Sequence, residues 1–205
     1  MGFYRDWFLP RATDWALGAR DFEEVRRRCV EGISGTVLEV GLGSGLNLPF
    51  YPREVRKLYA VEPADEAWKL AGEAVTAAPF PVERTGASAE SIPLPDGSVD
   101  AVVSTFTLCT IPDAGLALRE VRRVLRPGGI FHFAEHGLSR DRGVARWQNF
   151  LTPLQKRLAG GCHLNRRIEP LITAAGLRIE RMDNFYLRRP KVVMCIYAGT
   201  AVKDA

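Results

Sequence analysis

Three glycines at every second position, Gly41, Gly43 and Gly45, follow the run Val37-Leu38-Glu39-Val40. Glycine permits positive φ and lets a ligand approach the backbone with no Cβ in the way. In open α/β sheets, ligands bind beyond the carboxyl ends of the strands, so this stretch reads as a strand end followed by a ligand loop. A dinucleotide loop needs G-x-G-x-x-G, whose third glycine lets the helix pack close; position 46 here is Leu46. No Lys-Ser or Lys-Thr follows the glycines, which excludes a P-loop.

Two carboxylates narrow the ligand. Glu39 precedes the first glycine by two residues and suits a positively charged ligand better than a pyrophosphate. Glu62, followed by Pro63 and 21 residues after Gly41, can accept both ribose hydroxyls of an adenosine. An adenosine with a cationic tail satisfies both conditions. S-adenosylmethionine is such a molecule, with a sulfonium, an ammonium and a single carboxylate.

Further along, Glu135 and His136 stand at the end of an apolar run, and His163 lies in a later polar stretch. All three can assist a proton transfer, and Cys109 and Cys162 can line a pocket as small apolar residues. The four cysteines are widely spaced with no C-x-x-C pair, and His132 and His136 flank a strand end, so no metal site is expected.

The elements that must position these groups follow from hydrophobic periodicity. Strands are expected over 36–40, 58–61, around 82–84, over 99–104 and over 130–134, with helices between them, including one over 64–77. Asp113 is placed to cap a helix whose apolar side carries Leu116, Val121, Val124 and Leu125. Pro127-Gly128-Gly129 is expected to stop that helix and turn the chain into the fifth strand. Two last strands, over 177–182 and 192–198, have no helix-length segment between them and are expected to pair antiparallel. Residues 137–176 read as a helical insert broken at Gly160-Gly161 and Gly176, with room to cap a substrate. Residues 1–34 read as two short helices divided at Pro10, either packed as a lid over the glycine loop or touching a membrane surface. With no linker or repeat, 1–205 is read as one α/β domain of mostly parallel sheet with helices on both faces.

Composition sets outer limits. The chain has 205 residues, 46% hydrophobic and 25% charged, with a formal net charge of +4. Acids and bases are interspersed, so nucleic acid is not an expected partner. Arg26-Arg27-Arg28 reads as a solvated helix face. No apolar run approaches the ~18 residues needed to span a bilayer, and with no secretory signal pattern the expected location is cytoplasmic.

With these residues in place, the chain resembles the class I S-adenosylmethionine-dependent methyltransferases. The resemblance rests on Val37-Leu38-Glu39-Val40-Gly41-Leu42-Gly43-Ser44-Gly45, Ala60-Val61-Glu62-Pro63, Pro95-Asp96-Gly97-Ser98-Val99-Asp100 and Glu120-Val121-Arg122-Arg123-Val124-Leu125-Arg126-Pro127-Gly128-Gly129. Within that superfamily it is similar to the ubiquinone/menaquinone C-methyltransferases. It is closer to the methyltransferase-like enzymes of alkyl thiols, through Leu108-Cys109, Glu135-His136 and Gly161-Cys162-His163-Leu164-Asn165-Arg166. The resemblance implies a Rossmann-like seven-stranded sheet of order 3-2-1-4-5-7-6 with strand seven antiparallel. It implies cofactor contacts at the glycine loop, Glu62, Ser88-Ala89-Glu90 and Thr105-Phe106. Ser88 stands where many relatives carry an Asp that accepts from the adenine amino group; as a neutral acceptor it is the weaker partner. N-terminal aromatics such as Tyr4 and Trp7 are expected to close over the cofactor, as in relatives. The expected reaction is methyl transfer to a small, fairly hydrophobic acceptor, with a thiol the leading class. The alternatives are a phospholipid or quinone at a membrane surface, or a cofactor-binding module without turnover.

Overall fold

The computed structural model describes residues 8–204. Seven strands form one sheet: β1 (Gly35–Val40), β2 (Val55–Val61), β3 (Val82–Gly86), β4 (Val99–Thr105), β5 (Leu125–His136), β6 (Arg178–Tyr186) and β7 (Cys195–Val202). Their spatial order is β3-β2-β1-β4-β5-β7-β6. The first five run parallel, and β7 pairs antiparallel with both β5 and β6. This is the expected Rossmann-like topology. Successive strands run outward from β1 in opposite directions, so a crevice opens between the carboxyl ends of β1 and β4.

β1 is central, and Val37, Leu38, Glu39 and Val40 are all buried. One apolar layer joins Leu38, Val102, Phe131 and Phe133 to α5 (Ala114–Val124) and α7 (Ile168–Ala174). The other joins Val37, Leu58, Val103 and Ala134 to α2 (Arg20–Val30) and to the short helices α3 (Asp65–Leu70) and α4 (Gly72–Ala77). Helices therefore cover both faces. The remaining two, α1 (Leu9–Leu17) and α6 (Arg142–Leu158), carry walls of the cavities described below.

Several boundaries differ from expectation, each for a local reason. Pro10 lies in the first turn of α1, where a missing N–H costs nothing. The break between the first two helices falls instead at Gly18-Ala19, with Ala19 extended. The single helix expected over 64–77 divides at Ala71 into α3 and α4. Asp113 caps α5, its Oδ1 accepting from the Leu116 amide at 2.9 Å. The buried stripe of that helix is Ala114, Ala117, Leu118, Val121 and Val124, while Leu116 is exposed. β5 begins directly at Leu125, and Pro127-Gly128-Gly129 bulges out of it between the partners of Val99 and Ala101. The last two strands sit later than expected, because 191–193 form the turn that precedes β7.

Candidate functional site

At the carboxyl ends of β1, β2 and β4 lies a cavity of about 280 Å³. Gly41, Gly43, Glu62, Pro63, Thr105 and Phe106 line it, with Thr13, Asp14 and Leu17 of α1 opposite. Gly41 and Gly43 have φ of 76° and 60°, in the region that disfavours side chains. A Cβ on Gly41 would stand 2.3 Å from Thr107 Oγ1. Gly45 does not line the cavity; it brings the loop against Ala71 and Ala74.

Glu62 is buried, and each of its carboxylate oxygens takes one backbone amide: Gly43 at 2.7 Å and Ala64 at 2.8 Å. Burial pushes its carboxyl upward against those amides. Each oxygen retains a lone pair for a further donor. Glycine backbone open to the cavity and an acid with spare acceptor capacity on its wall fit an adenosine with an amino-acid tail.

Glu39 is placed differently from expectation. It does not line the cavity; its carboxylate accepts from Asn47 Nδ2 at 2.7 Å and from the Tyr51 hydroxyl at 2.9 Å. Burial raises its carboxyl to about 7, opposed by the Tyr51 and Asn47 bonds and by the charge of Arg26. The positive group near Glu39 is thus part of the protein. Arg26 reads in the sequence as a member of a solvated cluster, yet it is 5% exposed. Its Nη1 donates to Asn47 Oδ1 at 3.0 Å and Thr105 Oγ1 at 3.1 Å, and its guanidinium lies 5.3 Å from the Phe106 ring centre. Burial lowers its pKa, and Glu39 opposes the shift. The signal for it was helical spacing, since Phe22, Val25, Arg26, Cys29 and Val30 make one buried stripe. Only Arg27 and Arg28 face solvent in the expected way.

Ser88, Ala89 and Glu90 do not reach the cavity wall. Ala89 packs in the core, the Ser88 hydroxyl accepts from the Glu90 amide at 3.1 Å, and Glu90 Oε1 accepts from the Asp113 amide at 2.6 Å. The loop thus fixes the start of α5. On the other side, Ser44 of the glycine loop is hydrogen-bonded to Asp14, and Arg11 pairs with Glu66 at 2.5 Å. These contacts tie α1 across the cavity. Tyr4 and Trp7 lie outside the described residues.

A second chamber of about 370 Å³ adjoins the first. Thr13, Leu17, Phe106, Thr110 and Ala159 belong to both walls. Its other lining is mostly apolar, including Ala12, Ala16, Phe22, Val193, Met194 and Ile196, and no carboxylate lines it among the described residues. His136, Cys109 and Cys162 also face it. Phe106, on the seam, has φ 56°, an uncommon conformation for a bulky residue.

Glu135 explains how that strained turn is held. It is fully buried, and its carboxylate accepts from the Ser104 hydroxyl at 2.6 Å, from the Thr107 amide at 3.0 Å and from the Leu108 amide at 3.0 Å. Burial raises its carboxyl to about 7. It lines neither cavity, whereas the adjacent His136 lines the second. Strand alternation sends the two side chains to opposite faces. His163 lines neither; its amide and ring Nδ1 meet the Cys109 carbonyl at 2.8 and 3.1 Å, pinning the chain after α6 onto the turn after β4. That brings Cys162 beside Cys109. The proximity of the two thiols and burial push Cys109 up.

Residues 38–133 match a family described as a methyltransferase domain. Thiol S-methyltransferase TMT1B of Rattus norvegicus is 38% identical over 136 residues, 64% of this chain and 55% of that protein. The chain thus spans little more than half the length of such relatives. Phosphatidylethanolamine N-methyltransferase of Cereibacter sphaeroides is 31% identical over 161 residues, 72% of this chain and 76% of that protein. A crystal structure of a SAM-dependent methyltransferase from Aquifex aeolicus superposes with a TM-score of 0.64 at 22% identity, covering 94% of this chain and 96% of that one.

Proposed function

This chain belongs to the class I S-adenosylmethionine-dependent methyltransferases, and we propose that it moves the methyl group to a small, hydrophobic thiol. The observation that carries this reading is the second chamber, which is apolar, free of carboxylates among the described residues and in contact with the cofactor cavity through Phe106. A cationic or amine acceptor calls for a nearby carboxylate, and a phosphorylated one for Lys or Arg; among the described residues neither lines this chamber. The similarity to thiol S-methyltransferases supports the choice of sulfur.

The bound cofactor supplies an activated methyl on a sulfonium. The protein's task is to align a nucleophile with it and exclude water, and orientation of this kind contributes on the order of 7–11 kcal/mol in favourable cases. Glu62 holds the ribose hydroxyls, Gly41 and Gly43 admit the amino-acid tail to the backbone, and Pro63, Thr105 and Phe106 complete that wall. α1, tied down through Asp14 and Arg11, closes over both ligands. A thiol of pKa ~8.5 is only a few per cent thiolate at neutral pH, so the acceptor needs stabilisation as an anion. His136 faces it for that purpose. Glu135 acts one step removed, by holding the turn 105–108.

Methyl-labelled cofactor mixed with hydrophobic thiols, quinones, phenols and an ethanolamine phospholipid tests the reading. Label is expected on the thiol; label on none of them at saturating acceptor overturns it in favour of a binding module without turnover. One surface favours a second reading, in which the acceptor is drawn from a membrane. Trp147, Phe150, Leu154 and Leu158 are all more than half exposed along α6, which carries Arg142, Arg146, Lys156 and Arg157 and no acid. A basic helix with an exposed apolar stripe suits an anionic lipid surface. Sedimentation with anionic vesicles, lost in Phe150→Glu, is its expected signature; no sedimentation removes it.

A further inference from the structure

Cys109, His136 and Cys162 come from the turn after β4, the last residue of β5 and the connection after α6. Their sulfur and nitrogen atoms nevertheless lie within 4.8 Å of one another. Among the described residues, the Cys109 thiol also donates to the Phe106 carbonyl at 3.8 Å, a contact within its own turn that does not account for the gathering. Both cysteines are free thiols. His136 is 6% exposed; among the described residues its Nε2 is buried with no hydrogen-bond partner, and its Nδ1 meets only the Cys162 sulfur at 4.0 Å. An unsatisfied buried polar atom costs roughly 1–3 kcal/mol, so an imidazole left this way calls for a missing partner.

The chemistry of the set names that partner. Tetrahedral bonds of ~2.3 Å to sulfur and ~2.0 Å to nitrogen put ligand atoms about 3.5–3.8 Å apart. Atoms within 4.8 Å of one another reach that spacing through small side-chain rotations. Two thiolates and an imidazole select a borderline-soft cation over Mg²⁺ or Ca²⁺, which take oxygen. Two thiolates also cancel a divalent charge, so the three-ligand site carries no net charge into a buried place. Structural zinc sites close with four protein ligands, whereas three ligands and an open position mark a site that receives a substrate. Here all three residues line the apolar chamber.

We propose that Cys109, His136 and Cys162 form a three-ligand site for a Zn²⁺-class cation, with its fourth position open to the chamber and taken by the acceptor's thiol. The second half rests on the thiol reading above. As the acceptor's sulfur joins the cation, its proton leaves to solvent. The sulfur's electron pair then forms the bond to the methyl carbon, the bond from that carbon to the cofactor sulfur breaks, and its pair stays on the cofactor sulfur. An anion and a sulfonium become two neutral thioethers, with nothing oxidised or reduced. A thioether is a poorer ligand than a thiolate, so the product is released.

The test uses the full chain, reduced and stripped with a chelator, then titrated with Co²⁺ as an optical stand-in and with Zn²⁺ in competition. One equivalent of Co²⁺ is expected, with tetrahedral and thiolate charge-transfer absorption that Zn²⁺ abolishes. A hydrophobic thiol should change that spectrum, and the matching alcohol should not. Cys109→Ser, Cys162→Ser and His136→Gln should each weaken Co²⁺ binding about tenfold or more. Unchanged affinity for S-adenosylmethionine would show that each variant is folded. No cobalt spectrum, variants that bind as the parent does, or a Cys109–Cys162 disulfide with no metal uptake after reduction overturns the site. A cobalt spectrum indifferent to thiol overturns the open position. Failure of the thiol reading looks different: the metal spectrum persists while no thiol accepts methyl.

Discussion

The two adjoining cavities are made of different materials. The first cavity is lined at the carboxyl ends of β1, β2 and β4 by a glycine loop whose φ values disfavour side chains, with Glu62 fixed by two amides. The second chamber is lined by residues of α1 and α2, the turn after β4, the end of β5, the end of α6 and the chain after it, and the start of β7 with its approach. A ligand held by backbone tolerates few substitutions at the glycines and many elsewhere. A ligand held by side chains can be exchanged for another by changing three or four residues, and Ala12, Ala16 and Met194 offer such positions off the sheet. Binding of the donor is therefore tied to the fold, and choice of acceptor is not.

That contrast can be broken in several ways. The largest effect is expected from Arg26→Ala, which takes the donor from Asn47 Oδ1, leaves the Thr105 hydroxyl with Asn47 alone and removes the positive charge near Glu39. Losing hydrogen bonds from a charged group costs roughly 1.5–3 kcal/mol, and denaturant unfolding should show a loss near the top of that range. Adding Glu39→Gln should restore part of it. No loss at all would mean that the two cavities do not depend on this buried network.

Glu62→Ala should separate the cavities. Calorimetry should show cofactor binding weakened by roughly 1.5–3 kcal/mol, as for a lost charged acceptor, while a probe for the acceptor chamber is unaffected. The mirror experiment is Ala16→Leu, which narrows the chamber. An acceptor KM raised about tenfold, the lower end of what a methylene-sized misfit costs, is expected with no change in cofactor Kd. A Kd that moves as well would show the two walls to be one. Asp14→Ala removes the tie from α1 to Ser44 and should cost about 1 kcal/mol of cofactor affinity.

The smallest effect is on pH. Burial raises the Glu39 carboxyl to about 7, above its ordinary value of 4.5. The folded state then holds a proton that the unfolded chain has lost, so this group's contribution falls as pH rises from 4.5 to about 7. His132, lowered to about 4 by burial, acts in the opposite direction. The clean readout is therefore a difference: the stability of the parent relative to Glu39→Gln should fall across that window. A flat difference would show Glu39 ionised throughout.

The contrast between the cavities also explains what the sequence made legible. A strand, a glycine turn and an acid closing the next strand are contiguous patterns, and right-handed crossovers fix where they meet. The mostly parallel sheet, the final antiparallel pair and the cavity wall at Gly41, Gly43 and Glu62 could be read for that reason, whereas the order of the strands followed from the resemblance. Arg26 was hidden because charge pattern and helical spacing gave opposite answers, and burial followed the spacing. Glu39 and Glu135 carry the residue type of a ligand-binding group, but both are consumed in holding neighbouring chain. The Cys109, His136 and Cys162 cluster was invisible to spacing rules, because its members are brought together by the His163–Cys109 contact and not by a local motif.

Phe106 and four other residues belong to both walls, and α1 supplies two of them, Thr13 and Leu17. Whichever ligand arrives first immobilises part of the surface that the second must also immobilise. The second is spared that entropy, which is a source of cooperativity without a change of shape. Reciprocity makes the gain equal in both directions. Either ligand bound first would then sharpen the site for the other by the same factor.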